Sequence, residues 1–211
     1  IVIVLWKQKY QPASGKSMIS AGSSSTHQIN FGTDGWRGII ADDFTFANVR
    51  KVTRAIAAYL STAYSQDRPV LIGYDTRFLA EKFAQTSAEV LTELGWTVKI
   101  VDRDCPTPVI AYNARLLNSA GALMFTASHN PAPYCGIKYI PDYAGPATPA
   151  ITDTIVANLA NASDAPPATK HPDKISTFDP QPEYFKFIYT LLDVDRIRSA
   201  KLKVKYDAMY S

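Results

Sequence analysis

From Phe31 onward, short apolar runs alternate with longer stretches in which apolar residues recur every three or four positions. Val49, Val52, Ile56, Tyr59, Leu60 and Ala63 share one such stripe and predict an amphipathic helix over residues 46–64. Val70 to Asp75, opened by Pro69 and closed by turn-type residues, predicts a buried strand. A second helix is predicted over 78–94, with Leu79, Phe83, Val90, Leu91 and Leu94 inward and Gly95 as its stop. The pattern repeats with a strand at 97–102 and a helix opened by Thr107-Pro108, facing inward through Val109, Tyr112, Leu116 and Leu117. Strands follow at 121–126 and 136–141, then a helix capped at Thr148-Pro149 with Ile151, Ile155 and Leu159 on one side. Residues 158–172 are rich in Asn, Ala, Pro and Asp and read as loop; 182–193 read as helix and Leu202–Tyr206 as a strand. Strands alternating with helices predict an α/β fold, a three-layer α/β/α sandwich on a mixed, mostly parallel sheet.

Composition narrows the classes. The chain is 46% hydrophobic and 19% charged, enough for one core and the start of another. Its net charge of +3 is small and scattered, with no basic block, so nucleic acid is not an expected partner. No apolar run approaches the roughly 20 residues that cross a bilayer, and no membrane association is expected. Cys105 and Cys135 lack metal-type spacing and suit a reduced, cytoplasmic protein. Residues 1–28 start without Met, reach Met18 as the first plausible initiator, and include a polar SAGSSST run at 20–26. They are read as a leader outside the domain.

The chemistry concentrates in Thr126-Ala127-Ser128-His129-Asn130-Pro131-Ala132-Pro133-Tyr134-Cys135-Gly136-Ile137-Lys138. A buried strand delivers Ser128 at its C-terminal end, where open α/β sheets place their sites. If strands 121–126 and 136–141 are antiparallel, Ser128 and Lys138 flank a loop centred on Pro133. A hydroxyl then meets an ammonium, a pairing suited to phosphoryl transfer. A Ser-His hydrolase is the competing reading. In an extended segment adjacent side chains point apart, which makes His129 a poor base for Ser128, and no G-x-S-x-G elbow is present.

The run TASHNP followed by GIK resembles the signature of the α-D-phosphohexomutase family, the phosphoglucomutases and phosphomannomutases. Phe31-Gly32-Thr33-Asp34-Gly35-Trp36-Arg37-Gly38 is similar to that family's N-terminal motif, and Gly73-Tyr74-Asp75-Thr76-Arg77 to a later strand end. The resemblance implies the family's first domain, with Ser128 phosphorylated and exchanging phosphate with C1 and C6 of a hexose phosphate through a bisphosphate. It further implies Lys138 as general base, Arg37 as an electrostatic partner, and His129 against substrate or phosphoserine. Implied cofactors are Mg²⁺, touching the phosphate on Ser128, and a hexose 1,6-bisphosphate activator. One position departs from the family: Cys135 stands where Asn is usual.

The same resemblance divides the chain into the leader 1–28, domain I at 29–162, a linker at 163–180, and the start of a truncated second domain at 181–211. The aspartate-rich metal loop expected of that second domain does not occur in residues 1–211. The alternative expectation is therefore a truncated, catalytically silent fragment that binds phosphosugars weakly. Blander readings fit other residues. His27 and His171 are taken as solvated, Cys105 as packed, Asp42 and Asp43 as a loop before the first helix, and Arg77 as a sheet brace through Asp75.

Overall fold

The computed structural model describes residues 29–207. The leader expected over 1–28, with Met18 and His27, lies outside the described residues. In chain order the elements are β1 (Trp36–Ile39), α1 (Phe46–Ala63), β2 (Val70–Tyr74), α2 (Ala80–Glu93), β3 (Val98–Val101) and α3 (Thr107–Leu116). There follow β4 (Gly121–Phe125), β5 (Tyr134–Ile140), α4 (Pro149–Leu159), a 3-10 turn at Pro172–Lys174, β6 (Ile175–Phe178), α5 (Gln181–Leu191) and α6 (Val194–Ser199).

All six strands form one sheet in the order β1-β5-β4-β2-β3-β6. Only β5 runs against its neighbours, so the sheet is mixed and mostly parallel. Strand residues alternate between two cores because successive side chains leave opposite faces. Val70, Ile72, Leu123 and Phe125 join the cluster beneath α1, α2 and α4. Leu71, Ala122 and Met124 join Val109, Ile110 and Ala114 of α3 on the other side. This is the three-layer α/β/α sandwich. Each fully buried Leu or Ile contributes about 1.5–3 kcal/mol, which makes the two-faced central strands the main cohesive element. None of the described helices is long and apolar enough to cross a membrane.

Several expectations are corrected. In α3 the inward face is Val109, Ile110, Asn113 and Ala114, while Leu116 and Leu117 are exposed. The amide of Asn113 can face inward because its Nδ2 donates to the carbonyls of Val109 and Pro180, at 2.9 and 2.8 Å. Apolar counting passes over a polar residue whose hydrogen bonds are met internally. Tyr112 instead stacks on Phe187 of α5, centroids 4.9 Å apart. Ala63 and Leu94, at helix ends, are exposed. Leu79 is half-buried and precedes α2 in a left-handed conformation, φ 61°.

Residues 202–206 are not a strand. They carry no regular structure, and Leu202, Val204 and Tyr206 are exposed. Alternating pattern is insufficient without a ladder partner, and residues 202–206 pair with none of the six strands. β6 itself lies within the segment read as linker; it extends the sheet by parallel pairing with β3, Val98 opposite Ile175 through Val101 opposite Phe178. β1 and α6 likewise carry too short a pattern to register as elements in the sequence.

Candidate functional site at the Ser128 loop

β2 and β4 are adjacent and parallel, so the loops leaving their carboxyl ends meet. The β2 loop carries Asp75 and Arg77; the β4 loop carries Thr126 to Pro133. β5 returns from the latter, and β1 pairs with β5 on its far side with Arg37 opposite Gly136. Three stretches far apart in sequence, β1, the β2 loop and the β4–β5 hairpin, thus meet at the Ser128 loop.

Ser128 itself is exposed and adopts φ 53°, in the left-handed region that non-glycine residues rarely occupy. Such strain, about 1–3 kcal/mol, persists where surrounding contacts over-determine it. Here the contacts are visible. The amide of Ser128 donates to Thr126 Oγ1 at 3.0 Å, closing a Thr-centred turn. The amide of Asn130 donates to the Ala127 carbonyl at 3.0 Å.

This turn overturns two expectations. The β4–β5 ladder pairs Met124 with Lys138 and Phe125 with Ile137, which centres the hairpin on Pro131 instead of Pro133. Ser128 and Lys138 are therefore not placed symmetrically by register; the backbone turn decides where the hydroxyl lies. Nor do Ser128 and His129 diverge. The left-handed residue breaks the strand's alternation and brings Ser128 Oγ within 3.3 Å of His129 Nδ1.

Two further cations lie on strands beside the loop, Arg37 on β1 and Lys138 on β5. Arg37 Nη1 donates to Asn130 Oδ1 at 3.1 Å. Lys138 Nζ stands 3.5 Å from Asp34 Oδ1, the lysine side chain being largely shielded and the aspartate 78% exposed. Asp34 is delivered there by a turn in which Gly32 and Gly35 exchange backbone hydrogen bonds of 3.1 and 2.8 Å. Gly35 has φ +80°, and a Cβ on it would lie 2.2 Å from the Ile137 carbonyl oxygen. Only glycine lets this turn rest on the β5 backbone beside Lys138. Gly136 answers a similar constraint: a Cβ there would meet the carbonyl oxygens of Thr126 and Trp36 at 2.6 and 2.8 Å. The Gly-x-Lys spacing is therefore set by close backbone approach.

Arg77 does more than brace the sheet. Its Nε lies 3.4 Å from Asp75 Oδ2, and its remaining donors reach carbonyls of the Ser128 loop. The sequence reading gave Thr126 no role and Arg77 only that of a sheet brace, yet both hold the Ser128 loop. A Thr two residues before a reactive Ser is a local turn signal and was legible; the Arg77 contacts span 51 to 57 residues and were not. Cys135 is fully buried, and burial pushes its thiol up to about 12. It is a packed core residue, protonated at neutral pH, and not a nucleophile.

The sequence model described as phosphoglucomutase/phosphomannomutase, alpha/beta/alpha domain I, matches residues 28–166. A phosphoglucomutase of Staphylococcus saprophyticus is 35% identical over 141 residues, covering 65% of this chain and 25% of that protein. A phosphoglucosamine mutase of Prochlorococcus marinus is 38% identical over 119 residues, covering 56% of this chain and 25% of its own length. Among solved structures, a putative phosphomannomutase of Thermus thermophilus superposes with a TM-score of 0.71 at 33% identity, over 79% of this chain and 37% of that one. The chain thus spans about a quarter of the length of the curated relatives it matches.

Proposed function

The chain belongs to the phosphoglucomutase/phosphomannomutase family, and from that premise we propose that it is the phosphoserine-bearing first part of a hexose-phosphate mutase. The observation that carries this reading is the exposed Ser128 hydroxyl, held on a left-handed turn at the end of β4 with His129 beside it and Arg37 on the loop's Asn130. In the proposed reaction a phosphate on Ser128 is attacked by a sugar hydroxyl. The new P–O bond forms on the sugar, the Ser128 Oγ–P bond breaks, a base takes the sugar hydroxyl's proton, and the departing Ser128 Oγ takes up a proton to become a hydroxyl. The reverse step, from the other end of the resulting hexose bisphosphate, restores phosphoserine, so phosphate moves between C1 and C6. Lys138 is the proposed base, Arg37 supplies positive charge beside the loop, and His129 contacts phosphoserine or substrate. Such transfers depend on positioning and charge stabilisation more than on covalent chemistry.

The remaining assignments extend the same proposal. Residues 29–162 would form the phosphoserine domain together with β6, which the sheet takes from the segment read as linker, and 181–211 the beginning of a second domain. The substrate is a hexose phosphate, with the hexose bisphosphate as activator. Two free cysteines, Cys105 and Cys135, accord with action in the reducing cytoplasm.

Mg²⁺ would need several oxygen ligands in near-octahedral array, of which the phosphate on Ser128 offers one or two. The carboxylates built into this site are committed to cations, Asp34 to Lys138 and Asp75 to Arg77. The described residues therefore do not fit a Mg²⁺ cage by themselves, and no step is derived through the metal. That same commitment favours a second reading, a chain that binds phosphosugars weakly without turnover.

Two measurements on the purified chain separate these. Peptide mass spectrometry after incubation with glucose 1,6-bisphosphate should find phosphate on Ser128; modification elsewhere, with Ser128 unmodified, would overturn the phosphoserine assignment. A coupled glucose-1-phosphate to glucose-6-phosphate assay then distinguishes turnover from binding alone.

A further inference from the structure

We propose that Arg77 is the positioning residue of the Ser128 loop, acting through the loop backbone and not on the phosphate. A guanidinium offers five N–H donors in a fixed planar fork. Nη2 donates to the carbonyls of Ser128 at 2.9 Å and Asn130 at 2.8 Å. Nη1 donates to those of Pro131 at 3.1 Å and Tyr134 at 2.9 Å. Nε faces Asp75 Oδ2 at 3.4 Å, and the other oxygen of Asp75 accepts the Arg77 amide at 3.0 Å. The four Nη donors are thus used within the protein, and Nε lies against a carboxylate. A direct phosphate contact would require giving up a loop carbonyl, whereas His129 Nδ1 already lies 3.3 Å from Ser128 Oγ.

The clamp has a directional consequence. A trans peptide points its C=O and N–H oppositely. Drawing the carbonyls of Ser128 and Pro131 onto Arg77 therefore turns the amides of His129 and Ala132 away from the guanidinium. It also holds Ser128 in its left-handed conformation from the C-terminal side, while Thr126 holds it from the N-terminal side. Asp75 completes the device by fixing the arginine's own turn at the end of β2. Lysine could not substitute, because a point ammonium cannot span four carbonyls arranged around a fork.

The positioning claim stands on loop geometry; its bearing on phosphoryl transfer rests on the reading of Ser128 given above. The test is amide hydrogen exchange by mass spectrometry on the wild-type chain, R77A and R77K, with and without millimolar guanidinium. Peptides covering 126–136 report the loop, and peptides from β2 and β3 report the core. R77A should exchange at least about tenfold faster in the loop with the core strands unchanged, since charge-assisted hydrogen bonds to several carbonyls are lost. Added guanidinium should slow the R77A loop again, and R77K should remain fast. Wild-type loop exchange in R77A or R77K would overturn the proposal. So would equal acceleration of loop and core without a guanidinium response, the signature of a merely structural role. If R77A does not fold, R77K decides by the same criterion. The rate of Ser128 phosphorylation by glucose 1,6-bisphosphate, followed in parallel, should fall in R77A and recover with guanidinium. Failure of the wild-type chain to be phosphorylated would sink the phosphoserine reading and leave the exchange result standing.

Discussion

Replacing Gly35 by Ala tests how the Asp34–Lys138 corner of the site is built. The residue has φ +80°, and the added Cβ would lie 2.2 Å from the Ile137 carbonyl oxygen and 2.8 Å from Lys138 Cα. Both obstacles are backbone of β5, which is paired on one side to β1 and on the other to β4, so neither yields cheaply. Left-handed backbone costs a non-glycine residue about 1–2 kcal/mol. Overpacking adds about 1–3 kcal/mol, giving about 2–5 kcal/mol in all. For a domain of this size that is a fall in melting temperature of about 4–20 °C. Gly32, three residues earlier, supplies the control: a Cβ there meets nothing within 4 Å. Gly32→Ala should stay within about 0.5 kcal/mol of wild type. Calorimetry or urea unfolding of the two variants side by side reads the difference. Equal midpoints for Gly35→Ala and wild type, or equal losses for both glycine variants, would refute the reasoning.

Two further outcomes follow from the core. Thr53 Oγ1 donates to the Val49 carbonyl at 2.7 Å and lies 2.7 Å from Ser87 Oγ, so the proton between them comes from Ser87. Thr53→Val should orphan the buried Ser87 hydroxyl and cost about 1–3 kcal/mol, with most of it recovered in the Thr53→Val/Ser87→Ala double variant by urea unfolding. An additive double variant would argue against the pair. Burial raises the thiols of Cys105 and Cys135 from 9.0 to about 12. Between those values the unfolded chain loses protons that the folded chain keeps, so stability is intact below pH about 9 and falls as pH rises toward 12, by up to about 1.4 kcal/mol per pH unit per thiol. Urea midpoints across that range check the slope, and a flat profile contradicts it. Both thiols should also resist a disulfide reagent at pH about 8 until urea is added.

Much of the fold was legible because it is written in local periods. The stripe of Val49, Val52, Ile56 and Leu60 commits α1 to one face, and the wholly apolar Gly121–Phe125 run commits β4 to a buried, two-sided position. The site's centre was legible as well, since Ser128 follows such a strand and is trailed by Pro131 and Pro133. The inward face of α3 was not, because Asn113 is admitted to the interior by the Pro180 carbonyl, 67 residues away. Leu202–Tyr206 has a strand's alternation, yet a strand needs a ladder partner, and this segment pairs with none of the six strands.

Within the loop the division is sharper. Sequence alone supplied the groups that the proposed phosphate chemistry would draw on, because hydroxyl, imidazole, ammonium and guanidinium are properties of residue type. Tertiary structure decided how they stand. The left-handed turn at Ser128, the approach of His129 to its hydroxyl and the fork of Arg77 on the loop carbonyls each depend on backbone directions. Those directions are fixed by contacts across tens of residues, and no local pattern of apolar and polar positions encodes where a carbonyl points.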